Sequence, residues 1–279
     1  MPSPREDDPS FEPLLEYVEN SLHFQTSSYN DAYLDRRISA RMRRRRVDDY
    51  DEYHELLQED EDEQQELLDA LSVNVTSFFR NPEVWEALRD VLRDLSKKGS
   101  RRDPIKIWSA ACSDGREAYS LGMLAHDDNQ IDERRIEITG TDIKREILRA
   151  ARAAEYRASE TNDVAEQLDP IGNWERYVER DDDVFRVADA VTDMVEFKRH
   201  DLIRQDPPGT FDLVVCRNLF IYINAESKRA VFETLGSALK EDGYLTIGMT
   251  ETIPPSCRGQ FEPVEKRLRI YRARDDQER

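Results

Sequence analysis

Ile105-Lys106-Ile107-Trp108-Ser109-Ala110-Ala111-Cys112-Ser113-Asp114-Gly115-Arg116-Glu117 is the stretch on which the fold turns. Ile105–Ala110 is a short apolar run with β-branched residues and reads as a strand. It empties into small residues and one glycine, and Glu117 opens a helix that runs to Ala125. The same alternation continues down the chain. Ile136–Thr141, Val195–His200, Phe211–Cys216 and Tyr244–Ile247 read as strands, with helices over Ile143–Tyr156 and Ala225–Leu239. That order predicts an α/β fold, a mainly parallel sheet with helices on both faces. Phe261–Val264 and Leu268–Ala273, joined by Glu265 to Arg267, predict an antiparallel hairpin at the sheet edge.

Working back from this stretch, the first hundred residues read as helices only. Ser10 is placed to cap a helix whose apolar face is Phe11, Leu14, Leu15, Val18 and Leu22. A second helix starts near Asn30, with Leu34, Ile38 and Met42 on one stripe. A third carries Tyr53, Leu56 and Leu57, and a fourth Leu67, Leu68 and Leu71. The acidic run Glu59 to Glu63 between them reads as a solvated turn. Asn81-Pro82 starts a longer helix, Asn as N-cap and Pro in the first turn. Its stripe is Val84, Leu88, Val91 and Leu95, and Lys97-Lys98-Gly99 ends it. Residues 157–194 fit neither half. Val164–Leu168 is helical there, and Trp174–Val178 and Val184–Val187 are expected to pair as short strands in a small β-rich insertion.

The chain has 279 residues and a net charge of −19, from 60 acidic and 41 basic residues, of which only eight are lysine. Such a surface argues against general affinity for nucleic acid, which needs clustered positive charge. Acid excess with few lysines suits a protein kept soluble in concentrated salt, where self-repulsion is screened. It reads as a halophile's cytosolic protein. No run approaches the roughly 18 apolar residues of a membrane span, and the first residues lack an apolar signal core. A cytoplasmic protein with no direct membrane insertion is expected. Cys112, Cys216 and Cys257 are too few and scattered for a disulfide framework, and the four histidines show no metal-ligand spacing with them. No metal is expected.

Open parallel sheets bind ligands beyond the carboxyl ends of their strands. Small residues and Gly115, then Glu117, follow the first strand. Thr141-Asp142 follows the second, its acid placed to accept hydrogen bonds from ribose hydroxyls. Asp201-Leu202 follows the third and Arg217-Asn218 the fourth. A dinucleotide would want G-x-G-x-x-G for its pyrophosphate, but this turn has one glycine, and Glu117 stands where a phosphate would sit. A carboxylate there repels phosphate and suits a cationic ligand with a free amino group. S-adenosylmethionine is such a ligand, and charge favours it over a dinucleotide. A sheet with no cofactor and a capping glutamate explains Glu117 but not the other three strand ends.

Four stretches then carry a specific resemblance. They are Asn74-Val75-Thr76-Ser77-Phe78-Phe79-Arg80, Ile107 through Ser120, Gly140-Thr141-Asp142-Ile143, and Val215-Cys216-Arg217-Asn218-Leu219-Phe220-Ile221-Tyr222. Their order and composition resemble the successive signatures of the CheR-type chemotaxis receptor methyltransferases, and the acidity suggests a haloarchaeal member. The resemblance implies an all-helical N-terminal domain with its linker, here 1–80. A Rossmann-like class I methyltransferase domain follows, here 81–279, with a small antiparallel β-subdomain inserted at 157–194. It implies that Asn74, Thr76, Arg80, Glu117, Asp142, Asp201, Leu202, Arg217 and Asn218 contact S-adenosylmethionine or its product S-adenosylhomocysteine, and that the linker folds over the cofactor. The family usually has Asn where this chain has Asp201, which accepts from an adenine amino group but cannot donate. Some members grip a receptor's C-terminal peptide through a glycine-rich loop in the insertion. Trp174 to Asp183 holds no glycine here, so tethered-peptide binding is not expected.

The implied reaction is methyl transfer to receptor glutamates, giving glutamyl methyl esters, by a monomer. A glutamate is already ionised at neutral pH, so no general base is needed. Arg80 and Tyr222 are the candidates for orienting groups beside the methyl; the alternatives are a structural ion pair and a core aromatic. Arg36, Arg37, Arg41, Arg43, Arg44, Arg45 and Arg46 crowd the second helix, and Arg37, Arg41 and Arg44 share a face by spacing. Such a run is often a solvated face or a nucleic-acid patch. The resemblance implies instead a dock for the acidic cytoplasmic helices of methyl-accepting receptors. A methyltransferase acting on nucleic acid or a small molecule, and a silent cofactor-sensing scaffold, are the competing functions.

Overall fold

The computed structural model describes residues 8–22, 24, 26–71, 76–98, 100, 102–159 and 162–274. Asn74 and the helix-ending Gly99 lie outside them. The chain forms two compact units. The first runs to residue 74 and also takes in Phe220–Lys228; the second holds 75–219 and 229–279. The linker residues Thr76–Arg80 thus cluster with the second unit, and the stretch containing Tyr222 with the first, a division that the 1–80 and 81–279 boundaries do not anticipate.

In the first unit, α1 (Phe11–Asn20), α2 (Asp31–Arg45), α3 (Tyr50–Glu59) and α4 (Glu61–Leu71) bury most of the stripes the periodicity predicts; Leu56 and Leu68 are half-buried, as is Leu22, which lies past the end of α1. Leu14, Val18, Leu34, Ile38, Tyr50, Tyr53, Leu57, Leu67 and Leu71 are fully buried in one core. Ser10 does not cap α1; its hydroxyl donates to Asp8 at 2.6 Å. Glu59 to Glu63 is not a solvated turn either. Asp60 alone separates α3 from α4, and Glu63 is completely buried.

The partner of Glu63 is Arg41, which corrects the expected arginine face. Arg41 Nε and Nη2 donate to the two carboxylate oxygens of Glu63 at 3.0 and 2.6 Å, and Nη1 donates to Glu66 at 2.8 Å. Tyr53 Oη donates to the same Glu63 at 2.6 Å. A carboxylate cannot be buried unless it is paired and hydrogen-bonded, so the charge at position 63 draws Arg41 inward. Arg41 is 7% exposed and is a core group of the helical unit. Arg37 is half-buried, while Arg36, Arg43 and Arg44 are exposed.

The second unit opens with α5 (Pro82–Lys97). It continues through β1 (Ile105–Ala110), α6 (Arg116–Asp127), β2 (Ile136–Asp142), α7 (Arg145–Ala153), β3 (Glu155–Arg157), α8 (Val164–Leu168), β4 (Val178–Asp181), β5 (Val184–Val187), α9 (Asp189–Thr192), β6 (Val195–Arg199) and β7 (Phe211–Cys216). α10 (Ala225–Ala238), whose first four residues cluster with the first unit, precedes β8 (Leu239–Ile247), β9 (Phe261–Glu265) and β10 (Ile270–Ala273). Seven strands form one sheet in the order β6-β2-β1-β7-β8-β10-β9. The first five are parallel, and β10 runs antiparallel to β8 and β9. Five of the six residues of β1 are buried, as a central parallel strand covered on both faces requires.

The insertion forms a separate antiparallel sheet, β3-β5-β4. Two details differ from the sequence expectation. The helix read to Tyr156 stops at Ala154, which is left-handed, and Glu155–Arg157 becomes β3. Trp174–Arg176 is a single 3-10 turn, so the strand starts at Val178 rather than Trp174.

Candidate cofactor site

The order of the large sheet reverses at β1: β2 and β6 lie to one side, β7 and β8 to the other. Ligands of open α/β sheets bind at such a switch point. The turn after β1 has Ala111 at φ 56°, Ser113 at φ 53° and Gly115 at φ 87°. Left-handed non-glycine residues cost about 1–3 kcal/mol each and concentrate at ligand sites. A Cβ on Gly115 would fall 2.8 Å from Phe197 and 3.0 Å from Ala151, so only glycine fits. The Ser113 hydroxyl is buried without a hydrogen-bond partner among the described residues. At the carboxyl edge of the sheet such a hydroxyl is open to a water or a ligand.

Glu117 stands in the first turn of α6. Its carboxylate accepts from the Ser109 hydroxyl at 2.9 Å and lies 3.5 Å from the Arg217 guanidinium. Burial pushes the Glu117 carboxyl above the ordinary glutamate value, and the neighbouring Arg217 only partly offsets this. Burial likewise draws Arg217 below the ordinary arginine value, against the pull of Glu117. The Arg80 charge acts on both groups. Arg217 Nη2 also donates to the Arg80 carbonyl at 2.7 Å and to Asn81 Oδ1 at 3.1 Å. Asn81 therefore does not cap α5 with its side chain as expected; it sits at φ 59° and holds Arg217. Arg80, Glu117 and Arg217 form one charged cluster.

Asp142 ends β2. Its two carboxylate oxygens accept from the backbone N–H of Ser113 at 3.1 Å and of Lys144 at 3.0 Å, which fixes the side chain. Burial raises its carboxyl above the ordinary range, with those hydrogen bonds pulling back. Asp201 follows β6, and its Oδ1 accepts from the N–H of Ile203 at 3.0 Å and of Arg204 at 3.2 Å. Leu202 beside it is buried. Thr76 gives its carbonyl to Arg116 at 3.3 Å, and Phe78 N–H donates to Gln167 of α8, so the linker is tied to the insertion. Arg37, Arg41, Arg44 and Tyr222 belong to the other unit.

One residue of the cluster escapes the sequence. Glu251, 3% exposed, accepts from the N–H of Gly248 at 2.6 Å and of Asn218 at 3.1 Å. It braces the left-handed Asn218 (φ 62°) and adds negative charge beside Arg217. A Cβ on Gly248 would meet the Glu251 carboxylate at 2.6 Å. The signal was available: Glu251 follows β8, a fifth strand end of the same sheet.

Two partly buried carboxylates, an unpartnered serine hydroxyl and a turn without a glycine-rich phosphate cradle fit a nucleoside cation that carries an amino acid, not a pyrophosphate. The topology and this donor set define an S-adenosylmethionine-dependent methyltransferase of class I. Residues 74–270 match the CheR methyltransferase SAM binding domain, and residues 9–72 match the CheR methyltransferase all-alpha domain. The chain belongs to the CheR methyltransferase family. It is 31% identical over 237 residues to a chemotaxis protein methyltransferase of Listeria monocytogenes, covering 85% of this chain and 87% of the relative. One from Borreliella burgdorferi is 30% identical over 251 residues, covering 86% and 87%. One from Salmonella typhimurium is 30% identical over 237 residues, covering 80% and 78%. Among the described residues no helix is long and apolar enough to cross a membrane, and no side-chain group could hold a metal ion.

Proposed function

We propose that this protein methylates glutamate side chains of chemotaxis receptors, forming the glutamyl methyl esters of sensory adaptation. The observation that carries this reading is the match of both family domains along one chain, with chemotaxis methyltransferases aligned over most of its length. S-adenosylmethionine supplies, when bound, a methyl group activated by a sulfonium centre. Glu117 would hold the amino group, Asp142 the ribose hydroxyls, and Asp201 with Leu202 the adenine. Asn74, Thr76, Arg80, Arg217 and Asn218 would complete the contacts. Arg80 and Tyr222 would orient the receptor carboxylate. The test is transfer of a labelled methyl group to receptor-containing membranes. Base-labile label on protein supports the reading, and label in RNA overturns it.

The chain's task is alignment and desolvation of an acceptor that carries no proton at neutral pH. Transfer at saturating substrates should therefore be nearly flat from about pH 6 upward. A steep rise with a midpoint near pH 7 would reveal a hidden general base and contradict the mechanism.

The partner is an acidic receptor helix in the cytoplasm, met by a monomer, and the exposed arginines of α2 are its dock. The turn between β4 and β5 is Asp182-Asp183, exposed and without glycine, which supports the absence of tethered-peptide binding. With Arg41 occupied in the core, the dock reduces to the exposed Arg44, the half-buried Arg37 and their neighbours. Changing Arg37 and Arg44 together to Ala should leave cofactor affinity intact and lower transfer to receptor. Rim charges act mainly on encounter rate and are screened by salt, so the defect should shrink as salt rises. Equal transfer by variant and parent at low and high salt would make α2 a solvated face.

A further inference from the structure

Tyr222 is held by the helical unit at several points. Asn30 N–H donates to the Tyr222 carbonyl at 3.0 Å and Asn30 Nδ2 to the Ile221 carbonyl at 3.4 Å. Asn224 N–H donates to the Ser28 carbonyl at 3.0 Å and Asn224 Nδ2 to the Ser27 carbonyl at 2.6 Å. Tyr29 and Ile223 form an antiparallel bridge between these points. The ring of Tyr222 then packs on Tyr33 of α2, with centroids 5.1 Å apart and planes tilted by 55°. Tyr33 is itself immobilised. It is 5% exposed, its hydroxyl donates to the carbonyl of Leu71 at 2.5 Å, and Tyr29 stacks on it at 5.8 Å. The guanidinium groups of Arg36 and Arg37 lie 5.8 and 5.6 Å from the same ring.

We propose that Tyr33 is a positioning residue that fixes the Tyr222 phenol. The proposal rests on the reading of Tyr222 as an orienting group beside the substrate carboxylate. A tyrosine side chain has two free torsions, and a tilted aromatic neighbour held at its own far end restricts both. The same α2 segment carries the exposed Arg36 and the half-buried Arg37, whose guanidinium groups flank the Tyr33 ring.

The test uses the full chain, S-adenosylmethionine and receptor-containing membranes. Tyr33→Leu should lower kcat about tenfold to hundredfold, the scale of small misplacements of reacting groups, while receptor KM and calorimetric cofactor Kd stay within about twofold. Tyr33→Phe keeps the ring and should recover most of kcat. Asn224→Asp keeps the acceptor that caps Ser227 of α10 at 2.9 Å but loses the donor to Ser27, and it should lower kcat in the same way. It also serves in place of Tyr33→Leu should circular dichroism show that variant unfolded. The deciding comparison is the Tyr222→Phe background, where Tyr33→Leu should cause no further loss, because no phenol remains to be oriented. Losses that multiply would overturn the role of Tyr33 and leave that of Tyr222 standing. Full activity of Tyr222→Phe alone would overturn the reading of Tyr222, and the proposal with it.

Discussion

Arg41→Ala is expected to weaken the helical unit by about 3–5 kcal/mol, because it strands a buried charge. Glu66, the second partner of Arg41, has a side chain 61% exposed, and that contact is worth about 0–1 kcal/mol. The loss comes from Glu63, whose side chain is fully buried and would keep only the Tyr53 hydroxyl and Arg45 at 3.7 Å. Burial alone would push the Glu63 carboxyl up, but the hydrogen bonds from Arg41 and Tyr53 outweigh it and hold the group below the ordinary glutamate value. A carboxyl lowered in the folded state stabilises fully above its unfolded pKa, about 4.3, and the stabilisation is lost as pH falls through the folded value. Without Arg41, burial prevails and Glu63 rises, so acid relieves the variant while it weakens the parent. The gap between the two, measured by chemical unfolding with circular dichroism, should narrow from pH 7 to about pH 4. Arg44→Ala, on the exposed side, should stay within about 0.5 kcal/mol of the parent. Arg41→Met combined with Glu63→Leu should recover much of the loss, since apolar pairs of similar volume replace buried ion pairs well. An Arg41→Ala chain as stable as Arg44→Ala would show that Glu63 needs no counter-charge.

The two arginines illustrate what the sequence carries. Periodicity places Leu34, Ile38 and Met42 in the core, since apolar side chains are buried wherever the helix packs. It assigns Arg41 to the opposite face, yet the burial of Arg41 depends on Glu63, 22 positions away on another helix. A pairing between helices has no local period. The centre of the sheet was legible for the opposite reason: β1 and β7 are buried apolar runs and fall where the runs begin and end. The insertion was legible in content but not in edges. Tyr156 and its neighbours fit a helix stripe and a strand equally, and the β5 partner that selects the strand lies about thirty residues on, at Phe185. Among the candidate site residues, Glu117 and Asp142 drew attention because one opens the helix after β1 and the other ends β2. Glu251 was not read, and Asn81 was read as a cap because Asn-Pro is a helix-start signal; its side-chain Oδ1 accepts instead from Arg217, 136 residues away.

Glu117→Gln should raise the dissociation constant for S-adenosylmethionine by roughly thirtyfold to several thousandfold, the effect of about 2–5 kcal/mol for removing one partner of a buried charge pair. The amide keeps the shape and can still accept from Ser109, so the change isolates charge. Its loss acts twice: the cofactor's amino group loses its counter-charge, and Arg217, 3.5 Å away, is left beside a cation with less to balance it. Glu251 and the carbonyl of Arg80 still hold Arg217, which favours a folded variant. The pH dependence gives an independent check. Burial raises the Glu117 carboxyl in the free protein, and only the ionised form pairs with a cation. Affinity in the parent should therefore be level at neutral pH and begin to fall, as pH is lowered, at a higher pH than an ordinary glutamate would set. In Glu117→Gln that decline should be reduced to the share contributed by Asp142, whose carboxyl burial also raises. Calorimetry across acid pH on the parent, Glu117→Gln and Asp142→Asn separates the two carboxylates. A Glu117→Gln protein that binds the cofactor as tightly as the parent, with the same acid decline, would remove Glu117 from the site and leave it as a counter-ion for Arg217.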